Sequence, residues 1–193
     1  MAPGRIRDGV GLTNALAAGA LPSPVEPGDA PPVGALRVGG VDFHEITDDD
    51  VEQVVALWAE CDLVRPWNDP HRDVADARST PTSTVLVAHG ATDEQAGPGA
   101  AAGSAVGPDA VVAAVMAGFD GHRGWIYYLA VAPALQGTGL GRDAVVAAEA
   151  WLAGRGARKV RLMVRSTSTQ VLGFYERLGY ADAQCTVLGR DLP

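Results

Sequence analysis

Along this chain, stretches with a clear hydrophobic period alternate with stretches that have none. "ALRVGGVDFHEI", 35–46, reads as a first strand with an irregular start. Thr47 then opens a helix whose first turn holds Asp48, Asp49 and Asp50, where carboxylates suit the positive end of the helix dipole. Val51, Val54, Val55 and Trp58 follow at i, i+3, i+4 and i+7, an apolar face made for a sheet. The segment "LVRPWNDPHRD", 63–73, carries two prolines among polar side chains and reads as a loop or broken helix. Strands are predicted over 83–89 and 109–119, then over "WIYYLAV", 125–131, whose β-branched and aromatic run suits a buried strand. Ala144, Ala147, Ala148, Trp151 and Leu152 make a second helical stripe that stops at Gly154 and Gly156. "KVRLMVR", 159–165, alternates charged and apolar positions as a strand does. Thr167 and Gln170 have capping-box spacing, Val171, Phe174, Tyr175 and Leu178 line one helical face, and Gly179 supplies a left-handed stop. "ADAQCTVLGRDL", 181–192, is expected to close the domain as a strand or pair of strands. This order predicts a mixed α/β sheet with a right-handed parallel crossover over 125–165.

Two segments lack any period, and composition explains both. Residues 1–34 are rich in Gly, Pro and Ala, with five prolines and no aromatic in "LPSPVEPGDAPPVG". Such a segment buries too little apolar surface to offset chain entropy, so a disordered extension is expected. Residues 90–108, "GATDEQAGPGAAAGSAVGP", read as a flexible loop inserted between two strands. A single domain, 35–193, remains. The net charge of −8 gives no basic surface for nucleic acid or an anionic membrane, and it suits a cationic, amine-bearing partner. The long uncharged run 124–141 is cut by Pro133, Gly137, Gly139 and Gly141, so no membrane helix is expected. Arg5 and Arg7 precede an apolar stretch, but Asp8, Thr13 and Asn14 dilute it, which favours a cytoplasmic location over export. Cys61 and Cys185 form no CxxC pair and have no histidine at ligand spacing, so reduced thiols and no metal site are expected.

Candidate chemistry begins in "LAVAPALQGTGLGR", 129–142, a glycine series after a strand and before a helix. Backbone N–H groups can converge on an anion there, and the helix dipole favours negative charge. A phosphate-binding P-loop needs Lys-Ser/Thr at its end, which "GTGLGRDA" lacks. The dinucleotide fingerprint needs a different spacing from that of Gly137, Gly139 and Gly141. An anion site and close helix packing both fit the loop by itself.

Two motifs together say more. "QGTGLG", 136–141, resembles the Gln/Arg-x-x-Gly-x-Gly/Ala motif of the GCN5-related N-acetyltransferases (GNAT), and "GFYERLGY", 173–180, resembles the end of that family's late helix. The resemblance runs from about 36 to 192, and "LWAECDLVRPWNDP", "GFDGHRG" and "VLGFYERLGY" are similar to its YpeA-type bacterial branch. It implies the GNAT acyl-CoA N-acyltransferase fold, a mostly antiparallel central sheet with flanking helices. Its fourth and fifth strands, here 125–131 and 159–165, would run parallel and splay apart at a bulge. It further implies acetyl-CoA as cosubstrate, its pantetheine arm on the backbone of Leu129, Ala130 and Val131. The pyrophosphate would lie on the amides of Gln136, Gly137, Thr138, Gly139, Leu140 and Gly141, with Arg142 assisting. Tyr175 matches the family's general acid; on spacing, it also fits a core position of the 171, 174, 175, 178 stripe. Ser168 stands where the family often has an asparagine on the cofactor, and its hydroxyl has shorter reach.

The acceptor side is less constrained. A carboxylate that many relatives carry on the fourth strand is missing from "WIYYLAV". The amine proton must therefore leave by another route, such as water leading to Asp120, His122 or Asp69. "FDGHRG" also reads as an ordinary polar hairpin turn. Tyr127 and Tyr128 should alternate across the sheet, with Tyr128 facing the substrate. "RPWNDP" would present Arg65, Trp67, Asn68 and Asp69 as one wall of the acceptor site; alternatively it is a helix-capping loop with Trp67 tucked into the core. The expected reaction is direct acetyl transfer, in a ternary complex, to a primary amine of a small molecule or peptide, by a monomer or homodimer without metal. Neither cysteine lies in a nucleophile motif, so no acetyl-enzyme is expected. A non-catalytic acyl-CoA-binding regulatory module is the rival of a different class, and a dinucleotide oxidoreductase a more distant one.

Overall fold

Strand pairing follows chain order in the computed structural model, which describes residues 34–90, 107 and 109–190. The proposed tail over 1–34 and the insertion over 90–108 lie almost wholly outside the described residues. Strand β1 (Leu36–Val38) folds back on β2 (Val41–Glu45) across Gly39 and Gly40, whose φ angles are 60° and 90°. That pair of left-handed residues suits a tight hairpin turn, so the one strand expected over 35–46 is in fact two. A 3-10 turn (Asp48–Asp50) leads into α1 (Val51–Glu60), and α2 (Pro70–Arg78) follows a loop. The remaining elements are β3 (Ser83–His89), β4 (Val111–Phe119), β5 (Gly124–Val131), α3 (Leu140–Gly154), β6 (Val160–Leu162) and α4 (Thr169–Arg177).

All neighbouring strands are antiparallel except β5 and β6, which pair in parallel as the strand–helix–strand pattern predicts. Helices α1 and α2 pack on each other and on β3, β4 and β5, while α3 covers β4 and β5 from the other face. Trp58 of α1 and Trp151 and Leu152 of α3 are fully buried, giving each face a large apolar anchor. Trp151 Nε1 donates to Glu45 Oε1 (2.6 Å), and the Arg155 guanidinium lies 3.3 Å over the Trp151 ring while its Nη2 reaches the same carboxylate. This fastens α3 to β2. No described helix is long and apolar enough to cross a membrane.

Two terminal expectations fail for local reasons. Residues 181–190 form no strand and are all exposed. Asp182 Oδ1 accepts the N–H of Gln184 (2.8 Å), and Gln184 sits at φ 53°, a side-chain turn that competes with a ladder. Among the described residues, the one hydrogen bond from this stretch to β6 is that of Arg161 Nη1 to Cys185 Sγ (3.7 Å). Likewise α4 is entered through Ser168, without a side-chain cap, so the Thr167–Gln170 box does not form.

Gly124 shows how tightly β5 meets α3. A Cβ there would lie 2.8 Å from Leu152 Cδ1 and 3.3 Å from Ala157 Cβ, with Leu152 itself fully buried. Gly124→Ala is expected to lower stability by about 1–3 kcal/mol through overpacking. Urea unfolding should show a reduced midpoint with an unchanged slope; an unaltered midpoint would mean that the interface is looser than described.

Candidate functional site

The site starts at an irregularity in β5. Ala114 pairs with Ala130 and Met116 with Tyr127, so Val115 alone faces both Tyr128 and Leu129. This is a β-bulge, and Tyr128 occupies it at φ 49°. The absent Cβ of Gly124 points at α3, so by alternation Trp125 and Tyr127, which stack at 6.3 Å, point to the opposite face. Tyr128 should then return to the α3 face. Instead it stacks on Trp58 of α1 at 4.3 Å, so the bulge brings both tyrosines to one face and overturns the expected alternation.

The bulge also coincides with the end of strand pairing. Strand β6 pairs only with Gly124, Trp125 and Ile126, so from Tyr127 to Val131 one edge of β5 has no strand neighbour among the described residues. The Ala132 N–H bonds the Val112 carbonyl (2.8 Å) and Ala130 pairs with Ala114, which turns the peptide groups of Leu129 and Val131 toward the open edge. There the Val131 carbonyl already accepts from Gln136 Nε2 (3.1 Å) and Cys61 Sγ (3.4 Å).

Next along the chain is the glycine loop. Gly137 (φ 80°) and Gly139 (φ 102°, the residue capping α3) hold left-handed conformations that a side chain would strain. The N–H groups of residues 137 to 142 have no partner among the described residues. They converge at the N-terminus of a 15-residue helix, where the dipole adds positive potential. Gln136 differs from the others: its backbone N–H bonds Pro133 and its side chain holds Val131, so it shapes the loop. Thr138 Oγ1 bonds the Leu135 carbonyl (2.7 Å), Leu140 buries its side chain in the core, and Arg142 is exposed. A Cβ on Gly141 would touch Phe174 Cζ and Val131 Cγ2, both at 3.6 Å. These are ordinary van der Waals distances, so within this series it is the left-handed conformation of Gly137 and Gly139, not close packing at Gly141, that calls for glycine.

On α4, Tyr175 is buried, packed edge-on to Phe174 (5.0 Å) and Tyr180 (5.5 Å). Its hydroxyl has no hydrogen-bond partner among the described residues, and burial pushes its pKa up to about 12. The phenol is therefore protonated throughout the neutral range. Ser168 is half-buried at the head of this helix.

Opposite the bulge, α2 supplies polar groups. The Tyr128 hydroxyl donates to Asp73 Oδ2 (2.7 Å) and accepts from Asn68 Nδ2 (2.5 Å). Burial and the Asp73 hydrogen bond raise the Tyr128 pKa. Asp73 is the residue that sequence reasoning missed. Its signal was Asp69-Pro70, a cap followed by a first-turn proline, which starts a helix and places Asp73 one turn beyond Asp69. Asp69 itself caps α2, its Oδ1 accepting from His71 N (3.1 Å) and Arg72 N (3.2 Å), so it is not a free wall group. Trp67 is 73% exposed, which excludes a place in the core. Arg65 turns back on Asp62 (2.9 Å). The indole N–H of Trp58, beneath Tyr128, is buried without a partner among the described residues.

Asp120 and His122 are not brought to this place. Asp120 accepts from Arg123 N (2.6 Å), Trp125 Nε1 (2.9 Å) and His122 N (2.7 Å), which hold its pKa at about 2. Both residues belong to the β4–β5 turn, and the strand carries the chain roughly 13 Å from Gly124 to Tyr128 at about 3.3 Å per residue.

The family model of the acetyltransferase (GNAT) family matches residues 51–180. A protein of Pectobacterium atrosepticum described as an acetyltransferase is 39% identical over 144 residues, 75% of this chain and 90% of that protein. Among solved structures, a transcriptional regulator from Bacillus halodurans C-125 superposes with a TM-score of 0.59 at 19% identity, covering 78% of this chain and 99% of the other. The aminoglycoside N-acetyltransferase AAC(6')-Iy in complex with CoA gives a TM-score of 0.59 at 13% identity, covering 83% and 97%. At such identities the structures speak for the fold alone, a mixed α/β architecture that this chain shares. With the family match spanning most of the described residues, the chain belongs to the GNAT acetyltransferase family and has its fold.

Proposed function

We propose that this acetyltransferase transfers the acetyl group of acetyl-CoA to a primary amine by direct attack within a ternary complex. The observation that carries the reading is the open edge of β5, which lies between the bulge at Tyr128 and the unpartnered N–H groups of the glycine loop. An extended chain bearing amides can pair along Leu129 and Val131 as an added strand. Ala130, turned toward β4, fits this role less well than expected. The N–H groups of Gly137, Thr138, Gly139, Leu140, Gly141 and Arg142 suit a pyrophosphate, with the Arg142 side chain free to assist and Ser168 near the start of α4 as a further polar contact. The CoA complex of the aminoglycoside N-acetyltransferase supports a donor of this class.

Acetyl transfer forms an N–C bond as the thioester C–S bond breaks, leaving charge on sulfur and one surplus proton on nitrogen. Tyr175 donates to the departing sulfur. A phenol held at about 12 does so only as charge builds on the sulfur, in a dry site where the thiolate's own basicity also rises. On the other side, Asp73 and Tyr128, with Asn68 and the exposed Trp67, form a wall suited to a cationic amine. The surplus proton leaves along that polar wall to water. Burial pushes the Cys61 thiol up, so it stays a thiol at neutral pH, which supports direct attack over an acetyl-cysteine.

Tyr175→Phe should lower kcat by about 10²–10⁴-fold while acetyl-CoA affinity changes by less than about twofold. CoA release and calorimetry measure the two. A variant that turns over like the parent removes Tyr175 from the chemistry, and a parent with no turnover on an amine library supports the non-catalytic rival. Because the phenol ionises only near pH 12, the parent's kcat should show no descending limb from it between neutrality and that value. Asp73→Asn should raise the KM of the acceptor amine by about tenfold, a loss of roughly 1.4 kcal/mol, and leave that of acetyl-CoA unchanged. An unchanged acceptor KM would place the amine elsewhere.

A further inference from the structure

We propose that His44, Asp50 and His89 form a binding site for one divalent transition cation of the zinc class, separate from the acyl-transfer site. Sequence spacing does not show this group, because strand pairing assembles it. His44 on β2 lies opposite Val87 of β3, so His89, two residues further, is its diagonal neighbour on the same face. Their rings stack at 5.0 Å with planes 19° apart. Asp50, from the turn before α1, sits beneath both at 3% exposure. Its Oδ1 lies 2.9 Å from His89 Nε2 and its Oδ2 3.9 Å from His44 Nε2.

The three donor atoms lie within 4.8 Å of one another, and among the described residues no other group of three His, Cys, Asp or Glu side chains is gathered so closely. A tetrahedral ion with bonds of about 2.0–2.2 Å separates its ligand atoms by roughly 3.3–3.6 Å, which small shifts here would meet. A hydrogen bond to Asp50 accounts for His89. It does not account for His44, whose Nε2 faces the same carboxylate beyond hydrogen-bond distance. The carboxylate is held in place by the Thr47 N–H and hydroxyl, each 2.8 Å from Oδ2, the outer support that metal ligands commonly have. Two imidazoles and one carboxylate select zinc, cobalt or nickel over magnesium or calcium. The imidazoles are 34% and 28% exposed, leaving a path for entry and room for a fourth ligand from solvent. A bound ion would tie β2, the end of β3 and the entry to α1 together, and none of its ligands is among the groups assigned to acetyl transfer.

The test uses the full chain, stripped with chelator and titrated with Zn²⁺ in a calorimeter. One ion per chain should bind with a Kd in the micromolar range or below. His44→Ala and His89→Ala should each weaken binding by about tenfold or more, and the double variant should abolish it, with acetyl-CoA affinity unchanged. No binding at about 100 µM Zn²⁺ overturns the proposal. So does an unchanged Kd in the double variant, which would assign the ion to other groups such as His71 and Glu52. Should the variants fail to fold, the parent decides: Zn²⁺ must shift the imidazole resonances of His44 and His89 and leave those of His71 and His122 in place, and the reverse pattern refutes the site.

Discussion

The bulge at Tyr128 is the constraint on which the rest of the site depends. One extra residue in β5 does two things at once. It swings an aromatic side chain that alternation would send to α3 onto Trp58 of α1, within reach of Asp73 and Asn68. It also marks where β5 parts from β6, leaving peptide groups on one edge without a neighbouring strand among the described residues. A regular β5 would pair further along β6 and carry Tyr128 to the other face. The left-handed conformation at a non-glycine residue costs about 1–3 kcal/mol, and the stack on Trp58 with two hydrogen bonds at the hydroxyl offsets it.

The glycine loop and α4 are fitted to that opening. Gln136 reaches back to the Val131 carbonyl, locking the loop to the end of the bulged strand, and Gly141 lies beside both Phe174 and Val131. The loop and α4 thus meet around one residue of β5. Tyr175, the next residue along α4, is thereby held close to this junction in a buried setting that keeps its proton in place. Cys61 contributes only a weak contact to the same carbonyl, which fits a thiol kept inert by burial.

Where local signals and tertiary demands agreed, the fold was legible in the sequence. The α3 stripe, the parallel β5–β6 pair and the glycine loop were all readable because period, turn residues and length pointed the same way. The two motifs, over 136–141 and 173–180, pointed to the family. The bulge was not readable: nothing in "WIYYLAV" marks which peptide will flip, since the cause is a stack with a helix some seventy residues earlier. Asp73 was hidden because 63–73 read as a loop or broken helix without a helix start placed in it, although Asp69-Pro70 announces one. Asp120 and His122 mattered to the reading because their chemistry suits proton transfer. The structure commits the Asp120 carboxylate to three turn donors, a use that residue type alone does not disclose. The closing strand failed because an Asp182–Gln184 turn, invisible to alternation, competes with it.

Net charge and local field differ in this protein. By formal charge, a chain of −8 is poorly matched to a polyanionic donor such as CoA. Yet the proposed donor contacts are almost all backbone N–H groups at a helix start, whose partial positive charge does not enter the formal count. At physiological salt, charges beyond about 8 Å are largely screened, so the local dipoles outweigh the distant carboxylates. On the acceptor wall the side chains do set the sign, because Asp73 lies against Tyr128. Donor and acceptor would then enter fields of opposite character on the two sides of one bulged strand. On the proposed reading, overall acidity would favour the cationic partner in solution, while the geometry of a few peptide groups would secure the anionic one.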